Sequence, residues 1–483
     1  MINHRKPIDC YVINSDESRK FAYACGDFNP LHLDPVKARR YQFGSTLIHG
    51  INGTLRSLEK FFEDQPTPVR LSSLNVLFSK PVKQGAEITI FADRLNDSSA
   101  RIEVYSEEKK VQTIDLCYSP ATPHDCVIQA ITIEHGSEPH PKEIDIADAD
   151  SLKASVPLVW NPTLFNELFP HLATTIPSSQ CATILATTNV VGMHCPGLNS
   201  VYARLSLTFK PENQAPLSSL GYSVDNVDER FSRVLIKVSN DTASGEIEAF
   251  FRPAPVCQPG FRELSSLVKK NQFSGQHALV IGGSRGIGEL TAKLLAAGGA
   301  RVTITFARGS IEAHSIARDI SDNGGICEYR KFDLLEKDQF ENLLPKDDKI
   351  THVYYMASPR IEKNTSSVWD GALFLSYADF YLNGLAEVVA CFKNDPRYRN
   401  EKLNVFIPST VFLEQAEKGF GEYIAAKAAA EALAGQLGLM CPNWRFYTPR
   451  LPRMLTDQTS GISGLDSLDG ARTIMTYLDE PTL

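Results

Sequence analysis

The sequence predicts two α+β units followed by an α/β unit built on a parallel, doubly wound sheet. Residues 1–130 and about 151–255 each open with helical signals and continue in runs where β-branched and aromatic residues alternate with polar ones. From about residue 275, short apolar runs alternate with helical patterns, which indicates parallel strands with helices on both faces. A chain of 483 residues has room for two to four such domains.

The predicted strands form three groups, one for each unit. Those of the first two units are 73–78, 87–92, 100–105, Ser200–Phe209, 232–238 and 245–251, and those of the third are His277–Ile281, Arg301–Phe306, 349–355 and 403–407. The second unit follows the layout of the first without a clear internal repeat. An acidic, proline-containing stretch at 134–150 predicts a linker, and 253–260 closes the second unit. We therefore expect domains at 1–130, 131–262 and 263–483.

Composition and charge argue against several classes of protein. The net charge is −8 and no basic arm is present, so nucleic acid is not expected as the main partner. No apolar run is long enough to cross a bilayer, and residues 1–7 lack the apolar region of a signal peptide. The ten cysteines are scattered without a CxxC pair, which indicates neither a zinc site nor disulfides. We expect reduced thiols, no metal and a cytoplasmic location.

A glycine-rich turn follows the first apolar strand of the third unit and opens a helix at 289–297. Its residues are Gly282, Gly283, Ser284, Arg285, Gly286, Ile287 and Gly288. Glycines let the backbone approach a pyrophosphate closely, and a helix N-terminus offers it free amides and a positive dipole. The turn therefore predicts a dinucleotide site, the alternative being a plain strand-to-helix turn.

The end of the next strand bears on which dinucleotide is bound. A carboxylate there would bind the adenosine ribose 2′-hydroxyl, but the sequence has Arg308 instead. Together with Arg285, this arginine could pair with a 2′-phosphate, which favours NADP(H) over NAD. The alternative is that both arginines are solvated loop residues.

Tyr423 and Lys427 lie four residues apart on an alanine-rich helical stretch, and so share one face of the helix. An ammonium beside a phenol lowers the pKa of the phenol, which makes a proton donor usable near neutral pH. Ser409 and Thr410 end a predicted strand about thirteen residues earlier, where a hydroxyl could hold a substrate oxygen. The sequence leaves open which of the two does so.

With these motifs, residues from about 275 to 483 resemble the short-chain dehydrogenase/reductase family. The resemblance implies that Tyr423 is the general acid and that Lys427 binds the nicotinamide ribose while lowering the pKa of the tyrosine. It also implies cofactor contacts from Asp333, Leu334, Ala357 and Thr456, and it makes Asn383 the better candidate for the family's helix asparagine, with Tyr381 as a rival.

Some positions depart from the family pattern. Ile281 stands where a threonine usually opens the glycine motif, Tyr355-Met356-Ala357-Ser358 replaces the usual Asn-Asn-Ala-Gly, and Arg450 follows Pro449 in place of glycine. The family's commonest spacing selects Thr410 as the active-site hydroxyl, whereas residue type selects Ser409. These departures predict a divergent branch with its own substrate pocket.

A second candidate site lies near the start of the chain. Asp27 and His32 flank Asn29-Pro30, which favours a turn or loop, and a loop can bring a carboxylate and an imidazole onto one small molecule. Gly50 opens a helical stretch at 51–62, where a backbone amide could meet a carbonyl oxygen. The alternative is a surface carboxylate and a capping histidine.

The stretches 26–34, 48–50 and 78–85 closely resemble the MaoC-like (R)-specific enoyl hydratase/dehydratase family, over roughly residues 15–120. The resemblance implies a hot-dog fold, in which a sheet wraps a central helix. It assigns Asp27 and His32 as the catalytic pair on a 2-enoyl or 3-hydroxyacyl thioester, with Gly50 near the thioester oxygen. The hydroxyl expected in the following helix falls near Leu55, so Thr54 or Ser57 would have to substitute.

The middle unit lacks the Asp-x4-His pattern. We interpret it as a second, non-catalytic hot-dog repeat that completes a double hot-dog unit and covers the acyl channel. His194 and Cys195 could instead pair as a base and a nucleophile, but adjacent side chains in an extended segment point to opposite faces.

The two implied activities follow one another. Reduction of a 3-ketoacyl thioester by NADPH gives a 3-hydroxyacyl thioester, and loss of water then gives a trans-2-enoyl thioester. The leading hypothesis is a bifunctional ketoreductase–dehydratase of fatty-acid-like or polyketide-like biosynthesis, acting on coenzyme A or acyl carrier protein thioesters as a homo-oligomer. The alternatives are hydration and oxidation in a degradative route, a reductase acting on an unrelated ketone, and a reductase joined to a non-catalytic acyl-binding module.

Overall fold

The computed structural model describes residues 6–121, 127–211, 216–346, 348–365, 368–462 and 464–479. The chain divides into two compact units, Met1–Ala254 and Pro255–Leu483. Residues 1–5, on which part of the expectation about a signal peptide rests, lie outside the described residues. Within the described ranges, no helix has both the length and the apolar composition that a membrane span requires.

The first unit is built on one antiparallel sheet of ten strands. In chain order these are β1 (Asp9–Val12), β2 (Val69–Phe78), β3 (Glu87–Asn96), β4 (Ser99–Ser106), β5 (Lys109–Pro120), β6 (Lys153–Pro157), β7 (Ser200–Phe209), β8 (Ser219–Asp228), β9 (Arg233–Ser239) and β10 (Ala243–Phe251). Their order across the sheet is β1-β3-β4-β5-β2-β7-β10-β9-β8-β6. The two halves therefore mirror each other about the β2–β7 pair.

Each half of this sheet carries one long buried helix. The helices of the unit are α1 (Ser15–Cys25), α2 (Pro30–Leu33), α3 (Pro35–Ala38), α4 (Gly50–Phe61), α5 (Pro162–Leu168), α6 (Leu172–Thr175) and α7 (Ser178–Asn189). Ile51, Leu55 and Leu58 of α4 are fully buried in a core that both halves share. Every residue of α7 after Ser178 is buried, because its many small side chains let neighbours approach from all sides.

Two local predictions for this unit are wrong. The segment between Asp27 and His32 contains one turn of helix, α2, because Pro30 suits the first helical position and the Asn29 side chain accepts a hydrogen bond from the Leu31 amide at 3.0 Å. The segment before Cys195 is not extended, since Val190–His194 continues α7 as a π-helical turn. The argument that neighbouring side chains alternate between faces therefore fails there.

The second unit contains the predicted parallel sheet. Its six strands are β11 (His277–Ile281), β12 (Arg301–Phe306), β13 (Ile326–Lys331), β14 (His352–Tyr355), β15 (Leu403–Phe406) and β17 (Trp444–Tyr447), in the order β13-β12-β11-β14-β15-β17. A separate two-stranded parallel piece pairs β16 (Ser409–Thr410) with β18 (Arg450–Leu451). The order reverses between β11 and β14, and open sheets of this kind bind ligands at the carboxyl ends of the strands flanking such a reversal.

Helices cover both faces of the six-stranded sheet. They are α8 (Phe261–Ser265), α9 (Gly286–Ala297), α10 (Ser310–Asp322), α11 (Gly371–Ala378), α12 (Leu385–Asn394), α13 (Gly421–Met440) and α14 (Ser467–Leu478), with a π-helical turn at Asp379–Gly384 between α11 and α12. Successive residues of a strand pack into the hydrophobic cores on opposite faces of the sheet. In β11, Leu279 packs into one core and Val280 into the other. Strands buried on both faces explain the continuous apolar runs in the sequence.

Candidate active sites

The carboxylate of Asp27 is held in the interior of the first unit. Helix α1 ends at Gly26, whose φ of 77° turns the chain sharply, and Asp27 follows with 1% of its surface exposed. Its carboxylate accepts hydrogen bonds from the Asn29 amide at 3.1 Å and from the Thr188 hydroxyl at 2.7 Å. Burial raises the pKa of Asp27, while the nearby His32 and these two hydrogen bonds oppose the rise.

The imidazole of His32 has a defined tautomer. Its Nδ1 lies 3.1 Å from the Leu47 carbonyl oxygen, which can only accept, so Nδ1 carries the proton and Nε2 has the free lone pair. Burial lowers the pKa of His32, and the charge of Asp27 opposes the shift. Because burial disfavours the charged form of each group, proton exchange with a substrate is easier at this pair than with an ordinary carboxylate and imidazolium.

His49 supports this pair, and the sequence analysis missed its role. Its Nε2 donates to the backbone carbonyl of Asp27 at 3.0 Å, and its ring stacks on His32 with centroids 3.8 Å apart and an interplanar angle of 27°. Burial lowers the pKa of His49 well below its usual value, so the ring stays neutral. The one signal in the sequence was its place directly before Gly50 at the start of α4.

Ligand atoms of Asp27, His32 and His49 all lie within 4.8 Å of one another, a spacing that a metal ion could span. However, the stacked rings of His32 and His49 confine their in-plane lone pairs to two nearly parallel planes, which do not meet at a point close to both rings. Metal ligands must converge on the ion. The geometry therefore favours an acid/base pair braced by a neutral imidazole.

The middle of the chain forms part of this site. Besides Thr188, the side-chain amide of Asn29 donates to the carbonyls of Gly192 at 3.1 Å, Gly197 at 3.1 Å and Leu198 at 3.2 Å. A Cβ on Gly192 would lie 2.2 Å from Asp27 Oδ1. The segment at 188–198 thus encloses the carboxylate directly, which the sequence could not show because these residues lie more than 160 positions from Asp27.

The candidate oxyanion position and its neighbouring hydroxyls lie on α4. Gly50 opens this helix without a side-chain cap, and a Cβ there would lie 2.7 Å from the Phe78 ring. The Thr54 hydroxyl donates to the Gly50 carbonyl at 3.1 Å and the Ser57 hydroxyl donates to the Gly53 carbonyl at 2.8 Å. Both hydroxyl protons are therefore engaged by the helix backbone, and the intervening Leu55 is fully buried.

His194 and Cys195 do not form a reactive pair. Burial raises the pKa of the Cys195 thiol to about 11, so it stays protonated near neutral pH, and burial lowers the pKa of His194 to about 4. An activated cysteine needs the opposite shift. The geometry supports a structural role for this segment.

In the second unit, the glycine turn joins β11 to α9 at the reversal of strand order. Gly282 has φ of 83° and abuts the backbone of Ala357, which follows β14. A Cβ on Gly288 would lie 2.2 Å from the Gly282 carbonyl oxygen, so the turn closes only with glycine there. Helix α9 starts without a side-chain cap, which leaves its first amides available to an anion.

The remaining candidate cofactor residues near this turn differ in their burial and in their neighbours. Ser284 is buried, and Thr456 lies against Gly286, where a Cβ would come within 3.5 Å of the threonine methyl. Arg308 is exposed at the end of β12, but Arg285 has a carboxylate neighbour, Asp457, at 3.5 Å. The two arginines are therefore not equivalent. After β13, Asp333 accepts from the Leu335 amide at 3.1 Å and Leu334 is buried, while Ile287 lies partly buried in α9.

Tyr423 and Lys427 lie buried on α13, with 7% and 6% of their surfaces exposed. Burial raises the pKa of Tyr423 to about 12, which a hydrogen bond with Thr410 opposes, and burial lowers the pKa of Lys427 to about 7. The expectation of a phenol acidified by the ammonium is therefore wrong for this structure. Burial disfavours both the phenolate of Tyr423 and the ammonium of Lys427. The Nζ of Lys427 donates a hydrogen bond to the Pro408 carbonyl at 2.8 Å and lies 6.0 Å from the centroid of the Tyr423 ring.

The structure separates the two candidate hydroxyls. Thr410 is the one beside Tyr423, whereas the Ser409 hydroxyl donates to Glu431 at 2.5 Å. Adjacent residues of a strand face opposite ways, so only one of them can meet the tyrosine. Glu431 also accepts two hydrogen bonds from Arg450, at 3.0 and 2.9 Å, a pairing the sequence analysis missed although Arg450 stood out in the place of a glycine.

Asn383 does not reach this centre, and the prediction is corrected in favour of its rival. Asn383 is exposed and its amide donates to the Asp379 carboxylate at 2.9 Å. Tyr381 is buried instead, with Lys427 Nζ 3.7 Å from its ring centroid and its hydroxyl 2.7 Å from the Ser358 hydroxyl. Positions two apart on a helix lie on nearly opposite sides, so only one of the two can face Lys427.

Comparisons with known proteins agree with this division of the chain. Residues 3–115 match a family model described as a MaoC like domain, and residues 276–444 match one described as short chain dehydrogenase. An NADPH-dependent aldehyde reductase 2 of Arabidopsis thaliana chloroplasts is 26% identical over 180 residues, which cover 34% of this chain and 65% of that relative.

The similarity to solved structures is weak. A dehydrogenase/reductase from Sinorhizobium meliloti 1021 is 18% identical, covers 46% of this chain and 92% of its own, and has a TM-score of 0.37. An alcohol dehydrogenase from Thermococcus sibiricus is 20% identical, with coverage of 43% and 92% and a TM-score of 0.37. The two matched family models lie in one polypeptide, and this chain is therefore a fusion of a MaoC-like domain with a short-chain dehydrogenase domain.

Proposed function

We propose that the chain is a bifunctional ketoreductase–dehydratase that converts 3-ketoacyl thioesters through 3-hydroxyacyl thioesters to trans-2-enoyl thioesters. The observation that carries the proposal is the presence of two acid/base centres in one chain. Asp27 lies with the partly buried His32, and Tyr423 lies with Lys427, with Asp27, Tyr423 and Lys427 buried. The 3-hydroxyacyl thioester that the reductive step produces is the substrate of the eliminating step. One polypeptide keeps the two catalysts at fixed stoichiometry.

In the reductive step, the amides of the turn at 282–288 would hold the pyrophosphate of NADPH and Arg308 would pair with its 2′-phosphate. The bound cofactor would supply the hydride that C3 of the ketone receives. Tyr423 gives its proton to the C3 oxygen and Thr410 donates a hydrogen bond to the same oxygen, while Lys427 binds the nicotinamide ribose. Choice of NADPH is supported by the exposed arginine at the end of β12 and by the similarity to an NADPH-dependent reductase.

In the eliminating step, Asp27 and His32 remove the C2 proton and protonate the departing C3 hydroxyl, which leaves as water. The backbone amide at Gly50 polarises the thioester oxygen and thereby acidifies C2. The neutral imidazole of His32, with Nε2 unprotonated, suits proton removal, and the raised pKa of Asp27 suits proton donation.

We infer that the first unit is a double hot-dog in which only the first half carries the catalytic pair. The mirrored strand order and the two long buried helices, α4 and α7, support this interpretation. The second half supplies Thr188 and Gly192 around Asp27, so it completes the site without contributing an acid or base of its own.

Incubation of a 3-ketoacyl thioester with NADPH tests the proposal. NADPH oxidation, followed by absorbance, should precede the enoyl product, followed by mass spectrometry on thioesters of both coenzyme A and acyl carrier protein. Asp27→Asn should stop the reaction at the 3-hydroxyacyl thioester, and Tyr423→Phe should leave the ketoacyl substrate intact. If the wild-type protein neither consumes NADPH with these ketones nor interconverts hydroxyacyl and enoyl thioesters, the proposal fails.

A second candidate function is reduction of a free aldehyde or ketone by the second unit alone, with the first unit acting separately. The similarity to an aldehyde reductase favours it. In that case simple aldehydes would be reduced faster than any 3-ketoacyl thioester, and Asp27→Asn would leave the final product unchanged.

A further inference from the structure

A buried guanidinium lies beside the catalytic pair of the first unit. Arg252 directly follows β10 and is 4% exposed. Its Cζ lies 3.7 Å from the centroid of the Tyr41 ring, and its Nη2 donates to the Leu198 carbonyl at 2.5 Å. Its Nε and Nη1 are buried and make no hydrogen bond with any described residue.

Three observations place this guanidinium next to Asp27 and His32. The Leu198 carbonyl that accepts from Arg252 also accepts from the side chain of Asn29, which stands between the two catalytic residues. Tyr41 packs in one cluster with Leu31 and Leu47, which adjoin His32 in sequence and in hydrogen bonding. Burial, and to a smaller degree the positive charge of Arg252, lowers the pKa of His32.

The buried guanidinium of Arg252 has no carboxylate partner among the described residues. Burial lowers the pKa of Arg252, and the Tyr41 phenol opposes this shift electrostatically and through a side-chain hydrogen bond. A buried charge without a partner is costly, and unpaired buried N–H groups are rare in folded proteins. A ligand oxyanion that enters this part of the interior would supply the missing acceptor.

We propose that Arg252 is an anion subsite of the dehydratase centre, binding a carboxylate or similar oxyanion on the acyl part of the thioester. The proposal rests on the proposed eliminating step and names its substrate class: acyl groups that carry a second acidic function close to C2 and C3. A carrier phosphate is the other source of an oxyanion. It lies at the far end of the pantetheine arm, whereas Arg252 shares a hydrogen-bond acceptor with Asn29, beside the reacting carbons.

Hydration rates on four enoyl thioesters test the assignment. The acyl group is short and is either neutral or carries a carboxylate next to the C2–C3 double bond, and the carrier is coenzyme A or phosphate-free N-acetylcysteamine. Arg252→Gln should lower kcat/KM for the carboxylated acyl group by roughly 30-fold or more on both carriers, with the neutral acyl group changed less than about 3-fold. Arg252→Lys should recover part of the loss, and the more exposed Arg233→Gln, from the same sheet, should change neither.

Three outcomes would overturn the assignment. Equal losses on all four thioesters would show that Arg252 acts only by holding the Leu198 carbonyl. If Arg252→Gln lowers kcat/KM only for the coenzyme A thioesters, Arg252 binds the carrier phosphate instead of an acyl carboxylate. If kcat/KM falls for none of the four thioesters, Arg252 lies outside the substrate site. If the wild-type protein hydrates none of the four thioesters, the proposed function is wrong, but the anion subsite can still be tested. Calorimetry then measures the binding of saturated thioesters with and without a carboxylate on the acyl group. Wild-type protein should prefer the carboxylated ligand at least about 10-fold, and Arg252→Gln should lose that preference.

Discussion

Asp27 owes its protonation behaviour to side chains from two distant parts of the first unit. Burial pushes its pKa upward, whereas the Thr188 hydroxyl donates to its carboxylate at 2.7 Å and stabilises the charged form. A hydrogen bond to a charged group contributes about 1.5–3 kcal/mol, the equivalent of about one to two pKa units. Thr188 therefore sets how acidic Asp27 is without needing to touch the substrate.

Substitution Thr188→Val should raise the pKa of Asp27 further. In hydration, the reverse of elimination, Asp27 must be ionised to accept a proton from water, so the acid limb of the kcat/KM profile for hydration should move to higher pH by roughly one unit. Reduction of ketoacyl thioesters should not change. Thr183→Val, on the same buried helix but bonded to the Ser179 carbonyl, is the control and should leave the limb in place. An unshifted limb in Thr188→Val, with a stable fold, would mean that the carboxylate does not titrate in the active pH range.

At the scale of elements, the π-helical turn Asp379–Gly384 places Tyr381 rather than Asn383 against α13. Such turns occur often at functional sites because the extra residue changes which side chains face a neighbour. Here the change brings an aromatic ring under the Lys427 ammonium at 3.7 Å. A cation over a buried ring gains about 2 kcal/mol, which offsets part of the cost of burying the charge.

Removing that ring with Tyr381→Leu should lower the pKa of Lys427 below its present value of about 7. The ammonium is lost as pH rises through this pKa, so the basic limb of ketone reduction should move to lower pH, by about one unit. Tyr381→Phe keeps the ring and loses only the contact with Ser358, and its limb should stay in place. The pH profile of hydride transfer with saturating NADPH measures both. Identical shifts in the two variants would contradict the role of the ring.

The elements that could be predicted from sequence are those whose signals are local. The glycine turn before α9 was predicted correctly because such a turn is complete within a few residues. The Asp27–His32 segment was predicted as a turn or loop and contains the short helix α2. Thr188 and Arg252 could not be predicted, since only folding brings Thr188 to Asp27 and Arg252 to the Leu198 carbonyl that Asn29 also bonds. The prediction for Asn383 was wrong for a related reason. Which side chains face α13 depends on the π-helical turn Asp379–Gly384, and no local sequence pattern indicates that turn.

At the scale of the whole molecule, the chain is two units with separate cores. One core fills Met1–Ala254, and the two main cores of Pro255–Leu483 lie on the two faces of the parallel sheet. The residues of each acid/base centre, and the side chains that hold them, all belong to a single unit. Loss of one centre therefore need not disturb the other.

This independence predicts complementation between inactive variants. Asp27→Asn alone should accumulate 3-hydroxyacyl thioester, and Tyr423→Phe alone should consume no NADPH. An equimolar mixture should form the enoyl product after a lag, because the intermediate must leave one molecule and bind another at its bulk concentration. The double variant, Asp27→Asn with Tyr423→Phe, should form none at any concentration. Time courses by mass spectrometry measure the lag, which should shorten as the concentration of Tyr423→Phe rises. A mixture that makes no enoyl thioester, although each variant retains its own remaining activity, would show that the two centres work only within one chain.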